Sequence, residues 1–237
     1  MEDGSIQVLD RNMPRLFKLI SLILLLTGCN EQFSEGDVDL DSDFFPLKIG
    51  QFRTYEVTEI NYNAQGSDTS TYLLRETIND TIRNGDEVTY LIKREFRTNE
   101  TFEWSIKDIW SCRKTVSHVV ITEENIPFVK LVFPVLVGET WDGNAFNTLN
   151  SGDYYYESLS ENHYEELISE NDLIKVVIAD IPQNLVNQDQ RYEVYGRGIG
   201  LIEKDYTILE FCTTNCSSEQ IDDGMKLKQV LVDYGEV

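Results

Sequence analysis

From residue 44 onward, apolar and polar positions alternate with a period of two, the pattern of half-buried β-strands. Residues 53–61 set Tyr55, Val57 and Glu59 against Thr54, Glu56 and Thr58. Runs at 69–78 and 88–97 follow, separated by the turn-forming Asn84-Gly85-Asp86. In the second run Tyr90, Ile92 and Phe96 share one face, and Lys93, Glu95 and Arg97 the other. Phe102, Trp104 and Ile106 repeat the pattern after Thr98-Asn99-Glu100. Further strands are predicted at 116–122, 128–133, 154–159, 173–179, 190–195, 201–211 and 226–234. Strand after strand with short polar turns predicts a mainly β fold: a single curved antiparallel sheet or half-barrel meander. At most one or two short helices are expected, with candidates near 164–169 and 183–187. Residues 44–237 are of a size for one β domain.

The N-terminal region reads differently. Arg11, Arg15 and Lys18 precede the apolar run 19–26, which at eight residues is far short of the ~20 needed to span a membrane. This is the layout of a secretory signal peptide over residues 1–28, with Met13 as an alternative start because the preceding stretch is acidic. Leu26-Thr27-Gly28-Cys29 resembles the bacterial lipobox. The resemblance implies cleavage between Gly28 and Cys29 and diacylglyceryl attachment to the Cys29 sulfur. Acyl chains at ~0.8 kcal/mol per buried CH₂ would make a permanent anchor. Residues 29–43 then form an acidic tether carrying Glu31, Glu35, Asp37, Asp39, Asp41 and Asp43 and no basic residue. A calcium loop from Asp37 is disfavoured, since Ser42 and Lys48 stand where Gly and Glu are needed. Acidic residues just after the lipidated cysteine also resemble surface-export signals of Bacteroidota lipoproteins.

Three further motifs carry a resemblance. They are the run from Phe44 to Tyr55 (FFPLKIGQFRTY), the run from Gly138 to Asn144 (GETWDGN), and the run from Glu193 to Leu201 (EVYGRGIGL). Together they resemble the opening, central and late motifs of uncharacterised secreted lipoproteins of Bacteroidota, with Phe52 standing where tryptophan is usual. The resemblance implies a class and a location but no activity. Physically, Pro46 fixes an extended entry and Gly50 a tight turn, while Gly138 and Gly143 flank a short strand offering Trp141 to the core. Gly196, Gly198 and Gly200 lie between two strands, not between a strand and a helix, and so mark a turn or bulge and not a phosphate-binding loop.

Charge narrows the field. The 237-residue chain carries 20 Lys+Arg against 42 Asp+Glu, a net −22. The segment before Cys29 contributes nothing, the tether −6 and the domain the remaining −16. An acidic surface disfavours nucleic acid, whose phosphates it would repel. Cys212 and Cys216 can close a structural disulfide in an oxidising envelope, with free thiols or a redox pair as alternatives. Cys112 reads as a buried free thiol, with pairing to Cys212 or Cys216 as the alternative. His118 sits on an apolar strand and His163 among acids, with none of the clustering a metal site needs. Asp80-Thr81-Ile82 resembles a short O-glycosylation site of Bacteroidota. No nucleophile elbow or phosphate loop is present, and no cofactor or metal is expected.

The expectation is a lipid-anchored protein of the bacterial cell envelope, held in the outer membrane, with surface-exposed and periplasmic orientations both open. Its role is non-catalytic, binding an unknown ligand or envelope protein, with an envelope hydrolase or a purely structural component as the alternatives.

Overall fold

Twelve strands form one antiparallel sheet in the computed structural model, which describes residues 41–159, 164, 172–214, 216 and 220–237. The strands are β1 (Gln51–Asn63), β2 (Gly66–Asn84), β3 (Glu87–Arg97), β4 (Ser105–Lys114), β5 (His118–Glu123) and β6 (Ile126–Val132). They continue with β7 (Thr140–Asp142), β8 (Asp153–Glu157), β9 (Leu173–Ile181), β10 (Asn187–Gly196), β11 (Gly200–Phe211) and β12 (Ile221–Glu236). Each strand but one pairs with its predecessor, β12 returns beside β1, and β6 and β7 are left as the two edges of the sheet. The sheet is nearly closed into a barrel. One face of every alternating strand turns inward, and Tyr55, Val57, Leu74, Ile92, Val119, Leu131, Tyr156, Val176 and Tyr195 meet there in one core.

Two local expectations are corrected. Residues 183–187 form a bend leading into β10, not a helix. The Asn184 Oδ1 accepts from the amides of Val186 (2.8 Å) and Asn187 (3.0 Å), and this local capping competes with helical hydrogen bonding. Of residues 164–169 only Tyr164, a turn residue, is described. Phe102 and Trp104 precede β4 and do not lie on it. Asn99 closes that turn through the Thr101 amide (3.0 Å), and Trp104 lies against the guanidinium groups of Arg75 and Arg97, each 4.4 Å from its ring centroid.

The seam between β6 and β7 is closed mainly by side chains. The Val129 amide donates to the Gly143 carbonyl (2.9 Å), and the Trp141 indole N–H donates back to the Val129 carbonyl (2.8 Å). The Tyr156 hydroxyl, on β8, accepts from the Val132 amide (2.9 Å) and donates to the Val132 carbonyl (2.7 Å). Asn147 donates to the Pro127 carbonyl (2.8 Å). The edge groups of β6 are thereby satisfied without a ladder, which removes a free edge that would otherwise recruit another chain. The motif around Trp141 serves this seam. Trp141 packs 4.6 Å from the Tyr156 ring, and a Cβ on Gly143 would lie 2.3 Å from the Tyr154 ring, so that position must be glycine.

The other two motifs meet at one end of the barrel. Phe44 and Phe45 are buried in it, and the Arg53 guanidinium, 3% exposed, donates to the carbonyls of Ile199 and Pro46 while lying over the Phe45 ring. Gly200 has φ +95°, and a Cβ there would come within 2.6 Å of that guanidinium. Arg197 binds Asp43 (2.6 Å) and Asp41 (2.7 Å), and the Gly198 amide donates to the Asp43 carbonyl (2.8 Å). Asp41 and Asp43 are thus clamped to the β10–β11 turn rather than free in the tether. The hydrophobic plug behind them, Phe44 and Phe45, is what orders this segment.

Trp141→Ala removes both the packing and the indole bond of the seam and is expected to cost about 3 kcal/mol, lowering Tm by roughly 10 °C in a domain of this size. Trp141→Phe keeps the ring and loses the indole bond, at about 1 kcal/mol. Thermal unfolding followed by circular dichroism measures both.

Candidate functional site

The interior of the barrel is a natural place to look for a site. A round barrel of twelve strands spaced ~4.8 Å and tilted about 40° would be roughly 24 Å across, too wide for side chains to fill. Contacts cross it nonetheless: the Lys204 ammonium on β11 lies 5.6 Å from the Trp110 ring on β4. The Lys130 ammonium on β6 lies 2.8 Å from Glu193 on β10. The barrel is therefore flattened, and its interior is occupied by its own side chains.

Those side chains include charges. Lys130 is the extra residue of a β-bulge, since Val129 pairs with Val120 and Leu131 with Val119. The bulge aims its ammonium inward, between Glu193 and Glu123, each 2.8 Å away. Lys204 approaches Glu193 at 3.2 Å, and the hydroxyls of Tyr195 (2.5 Å) and Tyr206 (2.7 Å) donate to the same carboxylate. Burial opposes ionisation of Glu193, but Lys130 and Lys204 outweigh it and hold the carboxyl well below the usual range; Lys130 is correspondingly raised. Nearby, Arg94 is paired with Glu76 (3.0 Å) and Asp108 (2.9 Å) and lies 3.5 Å from the Trp110 ring centroid. The network consists of charged groups fixed in their charged forms. It supports the walls of a packed interior.

An open groove lies on the outer wall, over β8–β11, with a volume of about 290 Å³. Its floor is Val177, 5% exposed. Strand register places Tyr155, Val177, Tyr192 and Asp205 in one row across four strands, so the two tyrosines stand on either side of the valine. One neighbouring row carries Glu157 and Lys175, paired at 2.6 Å. The other carries Asp180, Gln190 and Thr207, with the Gln190 amide donating to Asp180 at 3.1 Å. The Tyr192 ring is fixed from behind, because its hydroxyl donates to Glu203 (2.7 Å). Glu203 is itself held by Lys228 and Tyr164. The Tyr155 hydroxyl bonds no described residue, and Lys175 lies 4.9 Å from the Tyr192 ring centroid. Strand alternation shows these residues point outward. It could not show that they converge, because convergence depends on which strands are neighbours.

The residues singled out in the sequence lie elsewhere. Gly28, Cys29, the aspartate at 37 and His163 fall outside the described residues. Cys212 and Cys216 form a disulfide (Cα–Cα 6.1 Å) at the β11–β12 turn. A groove of about 460 Å³ beside it is lined by turn residues such as Thr213 and Thr214. Cys112 is a buried free thiol whose pKa burial pushes up to about 12, which leaves it an inert core group. His118 bonds Ser117 Oγ (2.9 Å) and stacks near Phe146 (5.6 Å), with burial and then Arg113 lowering its pKa. Thr81 sits half-buried on β2, its amide bonded to the Asp80 carboxylate (2.7 Å). Gly198 and Gly200 have positive φ in the β10–β11 turn, as expected of turn glycines. Among the described residues no group of three or more His, Cys, Asp or Glu is arranged to hold a metal.

The buried network carries a pH signature. Glu193 is depressed in the folded state, so its stabilising contribution is complete above the unfolded carboxyl value of about 4.3 and is lost as pH falls through the folded value. Wild-type Tm is expected to be level from pH 7 to 5 and to drop below pH 4. Glu193→Gln leaves Lys130 and Lys204 leaning on Glu123 alone. It is expected to cost about 3 kcal/mol at pH 7 and to flatten the acid limb. An acid limb as steep as wild type would refute the assignment. Thermal melts between pH 3 and 7 measure it.

No protein-family model matches the sequence, and no curated protein matches it either. Among solved structures the chain is similar, over 81% of its length, to a "putative exported protein with YMCC-like fold" of Bacteroides fragilis. The match covers 99% of that chain at 11% identity, with a TM-score of 0.40.

Proposed function

We propose that the protein is a lipid-anchored, non-catalytic binding protein of the bacterial cell envelope, whose ligand is taken by the groove on the outer wall of β8–β11. The observation that carries this reading is a contrast. The lumen is filled and its charges are fixed in pairs, whereas the outer wall presents an open concavity with two tyrosines and several hydrogen-bonding side chains. Ligand sites are commonly concave surfaces combining aromatic area with a few polar groups. The lipobox-like sequence ending at Cys29 supports the anchor. Asp41 enters at the plugged end of the barrel, twelve residues after Cys29, a length that spans at most about 40 Å.

In cells fed an alkyne-tagged fatty acid, the protein is expected to take up the label and sediment with membranes. Cys29→Ser is expected to lose both. Retention of label in the variant would overturn the anchor. For the binding role, a ligand recovered chemically unchanged after prolonged incubation is expected, and its conversion would turn the reading toward a hydrolase.

A further inference from the structure

We propose that the groove recognises an uncharged saccharide, one ring of which sits between Tyr155 and Tyr192. This rests on the reading of the groove as the ligand site and names the class of ligand. Spacing is the first argument. The two tyrosines share a register row two strands apart, on either side of Val177, so their backbones are separated by roughly 9.5 Å. A flat ring contacting an aromatic face on each side at 3.5–4 Å needs about 7–8 Å between those faces. The gap accepts one six-membered ring and is too narrow for two stacked rings.

Chemistry is the second argument. A pyranose has an apolar C–H face that packs on an aromatic ring and a rim of hydroxyls that both donate and accept. The groove supplies acceptors on both sides of the tyrosine row, Glu157 on one and Asp180 on the other, with the amide of Gln190 beside Asp180. The valine floor gives the apolar edge of a ring a dry surface, and Tyr192 arrives already fixed by Glu203. Such a preordered platform loses little entropy on binding.

Charge excludes the neighbouring classes. Glu157, Asp180 and Asp205 outnumber Lys175 and Arg191 in the groove by three to two, and the chain as a whole carries −22, so a phosphate, sulfate or uronate is disfavoured. A cationic ligand would be repelled by the Lys175 ammonium, which is held 2.6 Å from Glu157 and 4.9 Å from the Tyr192 ring centroid, whereas a sugar hydroxyl can accept a hydrogen bond from it. The tethered ammonium makes the slot neutral where the ring would lie.

The test uses the full chain in a glycan-free polyoxyethylene detergent, titrated with neutral gluco-, galacto- and manno-hexaoses, with an oligogalacturonate and with spermidine. Calorimetry gives the affinity, and the Val177 methyl signal, assigned through Val177→Ile, reports occupancy of the groove. The expected result is binding of a neutral hexaose that shifts the Val177 signal. Tyr155→Ala, at a side chain with no hydrogen bond to lose, should weaken it at least tenfold, and Tyr192→Phe should leave it within a factor of three. Asp180→Asn, a surface change, should weaken it several-fold and guards against misfolding of the tyrosine variant. A hexaose that binds without moving Val177 would overturn the proposal. So would a Val177 shift produced only by spermidine or the galacturonate, an outcome that leaves the groove as the ligand site. If no probe of any class moves Val177, both the ligand class and the site are wrong.

Discussion

A sheet of twelve strands has two edges and one face that must be kept from water, and both needs are met by reaching across the barrel. Lys130 is the clearest instance. The bulge that frees it from the ladder of β6 also turns it into the lumen, where it joins β6 to Glu193 on β10. An ion pair taken out of water gains little net stability, because desolvation offsets most of the attraction. Its effect is to set geometry. With Glu123 and Lys204 on further strands, the network fixes the distance between opposite walls and so decides that the barrel is flat and filled.

With opposite walls held together in this way, the rest of the architecture follows a division of labour between end, seam and wall. One end is sealed by Phe44 and Phe45, locked in place by Arg53 and by the grip of Arg197 on two aspartates. The seam is closed by Trp141 and Tyr156, each bonding backbone groups that a missing strand would have paired. The three motifs that stand out in the sequence are used in these two tasks, and Glu193 and Tyr195 of the third also belong to the lumen network. None of them lines the groove. Their task is to close the barrel, and the groove on the outer wall is lined by residues that form no motif.

This explains what could be read in advance. Period-two alternation identifies strands because it is a local consequence of burying one face, and β1, β3 and β11 lie close to where the pattern puts them. It fails at Phe102 and Trp104, where apolar residues are spaced as in a strand but the half-buried Trp104 lies against two arginines instead of in the core. It fails again at Asn184, whose side chain caps a bend where a short helix was expected. The turn glycines were legible from their flanking strands. The lumen network and the groove were not. Glu193 is followed by an ordinary Val-Tyr, and nothing local distinguishes its buried carboxylate from the exposed one of Glu157. Pairing across the barrel makes that difference, and it joins residues 63 positions apart.

The charge of the chain can be resolved further on the same basis. Arg94, Lys130 and Lys204 face the lumen with Glu76, Asp108, Glu123 and Glu193, while Arg53 and Lys114 are bonded to backbone carbonyls at its plugged end. These interior groups carry no excess of acid, and the excess lies on the outside and in the N-terminal region. An acidic exterior is held away from an anionic membrane by its own field, within a Debye length of about 8 Å in physiological salt. The same field acts on the groove, which belongs to that exterior. Keeping the buried cations with their carboxylates inside leaves the outer surface acidic, and on the proposed reading of the groove that sign disfavours anionic ligands before any particular contact is made.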